Sequence, residues 1–220
     1  MERFFNMDNK FFAFMGRVGD LMILNILWLL CSLPLVTMGA STAALYYATL
    51  KMARNEDSYP ARMFLHSFRQ NLRQGICLTL IFLVLGALLF VDIRVCLSMN
   101  NQMGKLLTAV FFLLTCLFGM TLSYTFPVLA QFENSLKAIL KNALLMSICH
   151  LPLTVVIVAL DLVPVLLFFI SPYYFVLSFP AWLLVGFALI AWINGKLFVK
   201  VFARYIPEEE TGENEGLEEP

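Results

Sequence analysis

Four apolar runs govern what this chain can become: residues 76–95, 106–130, 143–170 and 174–199. Each holds twenty or more residues with at most two charges among them. A helix needs ~20 residues to cross ~30 Å of hydrocarbon, whereas strands in globular proteins rarely exceed ~10 residues. In lipid every backbone amide and carbonyl must be satisfied internally, so such runs read as transmembrane helices. Composition agrees: 60% of residues are hydrophobic, 14% are charged, and mean hydropathy is +0.82. A soluble domain carries ~25% charged residues. The expected fold class is all-α, a polytopic transmembrane helical bundle.

Two shorter apolar segments precede these runs, at 21–35 and 37–50. The first follows a stretch holding Glu2, Asp8 and Asp20 beside Arg3, Lys10 and Arg17, too long and too acidic for a signal-peptide n-region, so it is read as a retained span. Together the two segments form either one kinked helix or a tight hairpin. If both cross and the N-terminus is cytoplasmic, 13 of the Lys and Arg residues lie inside and only Arg94 and Lys105 outside. If the pair is one span the split falls to 10 against 5. The positive-inside rule favours six spans, with five as the alternative and both termini cytoplasmic in the six-span case. Extending the first helix back toward Phe11 and the second to Ala53 supplies the missing length.

The junction "LPLVTMGASTAALYYATL" explains how two helices can return on each other with almost no loop. Pro34 ends the first helix, since it donates no backbone hydrogen bond and restricts the residue before it. Gly39 permits the turn, and Ala40, Ala44 and Ala48 form one smooth face at i, i+4, i+8. Small residues let helix backbones approach closely in lipid, so packing is the expected role; a substrate-lining role is the alternative.

The two basic linkers share a pattern. "FLHSFRQNLRQG" from Phe64 and "FENSLKAILKNA" from Phe132 align at an offset of 68 residues, pairing Ser67 with Ser135, Arg69 with Lys137 and Arg73 with Lys141. This suggests an internal repeat, of a kind found in transporter folds. Each linker also reads as an amphipathic cytoplasmic helix, with Arg62, Arg69 and Arg73 in the first, Lys137 and Lys141 in the second, facing anionic lipid headgroups. Docking of a cytoplasmic partner is the competing role for these surfaces. Residues 1–206 are expected to form one membrane domain. Seven glutamates fill 207–220, an acidic tail expected to be disordered.

Ionisable residues inside a span are functional candidates by default. Arg17 and Asp20 are expected to pair. Asp92 and Arg94 stand at the outer end of the run 76–95 and Asp161 in the outer half of the run 143–170, where together they form a candidate polar ligand site; helix exit from the bilayer is the plainer reading of Asp92 and Arg94. Pro164 in "DLVP" offers a local unwinding near Asp161. Asn25 and Asn194 read as cross-helix hydrogen bonders. The five cysteines fall singly, without CxxC spacing, so no metal is expected and they read as packing residues. No GxSxG, HExxH, P-loop or GxGxxG is present, so no enzyme, cofactor or nucleic-acid partner is expected.

"MERFFNMDNKFFAFMGRVGDLMILNILWLLCSLP", the Pro-x-x-Thr-x-Gly-Ala motif at Pro34–Ala40, "ALYY" at Ala44–Tyr47 and "FENSLKAILKNALLMS" together resemble the YesL family of small bacterial integral membrane proteins. The resemblance covers nearly the whole chain. It implies a multi-pass protein of the bacterial cytoplasmic membrane and carries no catalytic residues. It further implies an accessory role in oligosaccharide uptake, beside sugar ABC permease or sensor subunits. The expected function is therefore a non-enzymatic accessory component of carbohydrate uptake or sensing. The alternative is a small autonomous transporter with a polar site near the outer face.

Overall fold

The computed structural model describes residues 10–56, 59–99 and 101–205. Arg3 and the acidic segment 207–220 lie outside them. The described chain is built from α1 (Lys10–Ser32), α2 (Met38–Ala53), α3 (Pro60–Ser98), α4 (Gln102–Gln131), α5 (Leu136–Cys149), α6 (Leu151–Ile170), α7 (Pro172–Ala181) and α8 (Phe187–Phe202), with no strand among the described residues. Five stretches are long and apolar enough to cross a membrane: Phe14–Ser32, Pro60–Ser98, Gln102–Gln131, Leu151–Ile170 and Pro172–Phe202. They mark the chain as a membrane protein.

α2 is not among the five. Its 16 residues rise only ~24 Å, short of a hydrocarbon core. Instead it is the centre of the bundle, wrapped by α1, α3, α4 and α8. Composition explains why it can sit there. Ala40, Ala43, Ala44 and Ala48 are all fully buried, so four neighbours can approach its backbone.

The α1–α2 hairpin is stitched by side chains across Pro34 and a 3₁₀ turn at Leu35–Thr37. Thr37 Oγ1 donates to the Cys31 carbonyl at 2.7 Å, and Ser41 Oγ donates to the Trp28 carbonyl at 3.0 Å. Trp28 Nε1 returns a bond to Thr42 Oγ1 at 3.2 Å. The pairing of 31 with 37 and of 28 with 41 makes the return antiparallel. At the far end of α2, Asn55 takes a left-handed φ of 59°, tolerable for asparagine, and its Oδ1 accepts from the Arg17 guanidinium at 2.7 Å.

α3 then runs back along α2 in close backbone contact. The Gly39 amide donates to Thr79 Oγ1 at 3.0 Å. A Cβ added at Gly75 would stand 2.6 Å from Ala40 Cα, and one added at Gly39 would strike Thr79 Oγ1 and the Phe126 ring. Past Thr79, α3 continues for 19 residues to Ser98, ~28 Å beyond the level of the α2 start. Asn101 restarts the chain by capping α4, its Oδ1 accepting from the Gly104 amide at 2.8 Å.

Three sequence expectations need correction. The first basic linker is not a separate helix: Arg62, Arg69 and Arg73 are exposed on the first turns of the 39-residue α3, because nothing between Arg73 and Ile76 breaks a helix. Lys137 and Lys141 do belong to a short helix, α5, where both are exposed. The run 143–170 is broken at His150, which ends α5 with φ −116° and ψ 40° and precedes Pro152 at the start of α6. The aligned linkers also differ in backbone. Phe64–Ser67 is helical, whereas Phe132 is extended and Ser135 is the N-cap of α5. The two segments also touch: Gln70 Nε2 donates to Glu133 Oε1 at 3.1 Å and Gln74 Nε2 to the Asn134 carbonyl at 3.3 Å.

The last membrane stretch is also irregular. Pro180 removes one helical donor, and Trp182–Gly186 forms a π turn between α7 and α8. Asn25 of α1, fully buried, fills the gap. Its Nδ2 donates to the carbonyls of Trp182 at 3.0 Å and Leu183 at 2.7 Å, and its Oδ1 accepts from the Ala188 amide at 2.9 Å.

Candidate functional site

Six helices, α1, α2, α3, α4, α6 and α8, line a half-open cavity of about 780 Å³. Its wall is mostly apolar and strongly aromatic, with Trp28, Tyr46, Phe82, Phe118, Phe126 and Phe187. These rings brace each other: Trp28 and Phe187 lie 4.7 Å apart between centroids, Phe82 and Phe118 5.5 Å in an edge-to-face arrangement. The polar contributions are few, namely Thr42, Thr79, Ser123, the Tyr46 hydroxyl and Asp161. The volume falls within the ~300–1,000 Å³ range of small-molecule sites.

Asp161 is the one ionisable acid or base on that wall besides the phenol of Tyr46. Its Oδ2 accepts from Ser123 Oγ at 2.8 Å and its Oδ1 from Asn194 Nδ2 at 2.8 Å. The same Asn194 amide nitrogen lies 3.4 Å from the Tyr46 hydroxyl. Asn194 is fully buried and its Oδ1 has no hydrogen-bond partner among the described residues. Four helices thus contribute to one polar node: α2 with Tyr46, α4 with Ser123, α6 with Asp161 and α8 with Asn194.

Two internal prolines bear on this node. Pro127 in α4 and Pro164 in α6 lack the amides that would bond the carbonyls of Ser123 and Leu160. One of those carbonyls belongs to Ser123 itself and the other to the residue before Asp161. A second polar cluster sits lower on α6, where Thr154 Oγ1 lies 2.9 Å from the Tyr124 hydroxyl and 2.7 Å from the Ser147 carbonyl. It closes the junction between α5, α6 and α4.

The structure separates the three charged residues that the sequence grouped. Asp161 is in the cavity wall, while Asp92, half-buried, and Arg94, exposed, lie in the last turns of α3. Neither hydrogen-bonds Asp161 or lines the cavity. Asp161 is turned toward α4 and α8. Asn25 and Asn194 do bond across helices, as their apolar surroundings suggested. Tyr46 and Ser123 carried no signal of their own; prolines four residues after Ser123 and three after Asp161 are the only hint in the sequence. No group of three His, Cys, Asp or Glu residues able to hold a metal occurs among the described residues.

A second depression of about 740 Å³ lies at the basic end of the bundle, between the start of α3 and the α4–α5 connection. Its lining is polar and rich in amides, including His66, Gln70, Asn71, Gln74, Glu133 and Asn134.

Residues 21–93, from the apolar part of α1 through most of α3, match the family model "Protein of unknown function, DUF624". "Uncharacterized protein YesL" of Bacillus subtilis (strain 168) is 29% identical over 189 residues, covering 84% of this chain and 86% of that protein. "Uncharacterized protein YteU" of the same organism is 26% identical over 153 residues, covering 68% and 67%. No solved structure matches the chain. The matched segments include the α1–α2 hairpin, with its buried alanines, and the α3 face that packs on it; these similarities support a YesL-like family whose function is uncharacterised.

Proposed function

We propose that the protein is a multi-pass, non-enzymatic carrier of the bacterial cytoplasmic membrane that binds a small, largely apolar molecule inside its helical bundle. The observation that supports this is the aromatic-walled cavity of about 780 Å³ at the junction of six helices. Helix irregularities stand beside it, in Pro164 of α6 and in the π turn that leads into Phe187. Broken helices around a buried site are the usual way membrane carriers free backbone groups and allow rearrangement. In this proposal both termini are cytoplasmic, with the basic end of α3 and α5 toward anionic lipid.

The test is native mass spectrometry of the protein released from lipid nanodiscs. A co-purified small molecule is expected, and Gly86→Leu should displace it. A Cβ at Gly86 meets the Phe118 ring at 3.4 Å, an ordinary contact, so the added side chain fills space inside the wall. Retention of the same molecule by the filled variant would sink the cavity reading. Sidedness is tested separately by labelling single cysteines placed at Leu35 and at Lys137 with an impermeant maleimide. The six-span form requires Leu35→Cys to label from outside and Lys137→Cys only after permeabilisation.

A second reading is an accessory component of oligosaccharide uptake or sensing that assembles with sugar ABC permease or sensor subunits. It is favoured by the amide-rich depression at the basic end, whose side chains suit a partner loop. The main cavity offers few groups for the hydroxyls of a sugar, so in this reading the partner holds the sugar. A mild-detergent pull-down from cells grown on a complex polysaccharide tests it, and recovery of the protein alone would count against it.

A further inference from the structure

The cavity holds one acid and no base. Asp161 has no ion-pair partner among the described residues; both of its oxygens are met by neutral donors, Ser123 and Asn194. An acidic group at a helix-enclosed position of a membrane bundle is costly and is ordinarily matched by a partner of opposite charge. Here the space in front of it is lined by hydrocarbon and aromatic faces rather than by lysine or arginine.

That combination selects a particular kind of ion. A small hydrated cation would lose its water on entry and find only a few oxygens to replace it. A large cation whose charge is spread under hydrocarbon loses little hydration. It gains contact with Trp28, Phe118 and Phe126, the attraction of aromatic faces for positive charge, and the field of Asp161 in a region of low dielectric. Resting on the reading of the cavity as a ligand site, we propose that its ligand is a monovalent lipophilic organic cation whose charge is matched by Asp161. Ser123 and Asn194 act as positioning residues. They fix both carboxylate oxygens from α4 and α8, leaving the carboxylate to face the cavity.

The experiment compares two probes of similar shape on the full chain in nanodiscs, with empty nanodiscs as the partitioning control. One is methyltriphenylphosphonium; the other is neutral triphenylphosphine oxide, with an oxygen in place of the methyl group. Equilibrium binding of the labelled compounds should show saturable uptake of the cation, at least about tenfold tighter than the neutral probe. Asp161→Asn should remove that preference while leaving the neutral probe bound, and Asp161→Glu should keep most of it. Because the preference is measured first on the unaltered protein, a variant that fails to fold leaves the proposal testable. If neither probe binds saturably, the cavity reading fails and the inference with it. If both bind equally, the cavity reading stands and the cation inference is overturned. A preference that survives Asp161→Asn would overturn the assignment of the charge to Asp161.

Discussion

Replacing Asn25 by leucine tests how the break between α7 and α8 is held. The amide makes three hydrogen bonds, at 2.7, 2.9 and 3.0 Å, to the two carbonyls and one amide exposed by the π turn. Leucine has the same branching and the same number of side-chain heavy atoms, is somewhat bulkier, and carries none of these groups. In a soluble core each orphaned group costs about 1–3 kcal/mol, so three would cost about 3–9 kcal/mol. In bilayers side-chain hydrogen bonds average only ~0.6 kcal/mol and reach ~1.7, because separated helices also find partners. The second scale applies here, giving about 2–5 kcal/mol for three bonds, and tightening of the π turn should bring the loss toward the lower end. The expected destabilisation is about 2–3 kcal/mol. The assay is equilibrium unfolding of the protein in mixed micelles, followed by circular dichroism as the denaturing detergent is raised. Thr125→Val is the comparison, since Thr125 is equally buried but bonds only to Thr121 within its own helix. That variant should lose less than about 0.5 kcal/mol. The reasoning is refuted if Asn25→Leu and Thr125→Val unfold at the same detergent fraction.

Other expectations follow from the same geometry. Gly75→Ala should destabilise by about 1–3 kcal/mol or prevent assembly, because its Cβ would press on the Ala40 backbone; Gly19→Ala, with nothing within 4 Å, should be neutral or stabilise by up to ~1 kcal/mol in the same unfolding assay. Asn101→Ala should lose about 1 kcal/mol by removing the cap of α4, read as faster amide exchange at Gly104. Among the native thiols, exposed Cys77, Cys116 and Cys149 should react with a lipid-soluble maleimide well before buried Cys96, and equal rates would contradict the packing at the end of α3.

What the sequence revealed of the fold was whatever rests on local chemistry. The apolar runs gave the membrane helices, and Pro34 with the small residues after it gave the α1–α2 hairpin. The limits of α1 and α2 followed from the length each needed. Readings failed where helix continuity had to be inferred from polarity. Arg62–Arg73 looked like a separate surface helix because its charges stop at Arg73, yet a helix can pass from water into lipid without a break. The candidate site was legible only at Asp161. Tyr46, Ser123 and Asn194 join it from three other helices, and their convergence depends on tertiary packing that no spacing encodes. Asp92 and Arg94 drew attention by charge alone, although charge near the end of a helix equally marks its exit into solvent.

The central place of α2 has a consequence for how the protein is made. α2, at residues 38–53, leaves the ribosome well before α8, at residues 187–202, which completes its wall. Domains generally form from the N-terminus forward during synthesis, and a segment this short cannot settle across a bilayer alone. The α1–α2 hairpin must therefore wait in the insertion machinery or beside α3 with the Tyr46 and Thr49 side of α2 open until Gly195 arrives against Thr49. Any chain truncated before α8 would display that open face, which gives membrane proteases and chaperones a direct mark of an unfinished molecule.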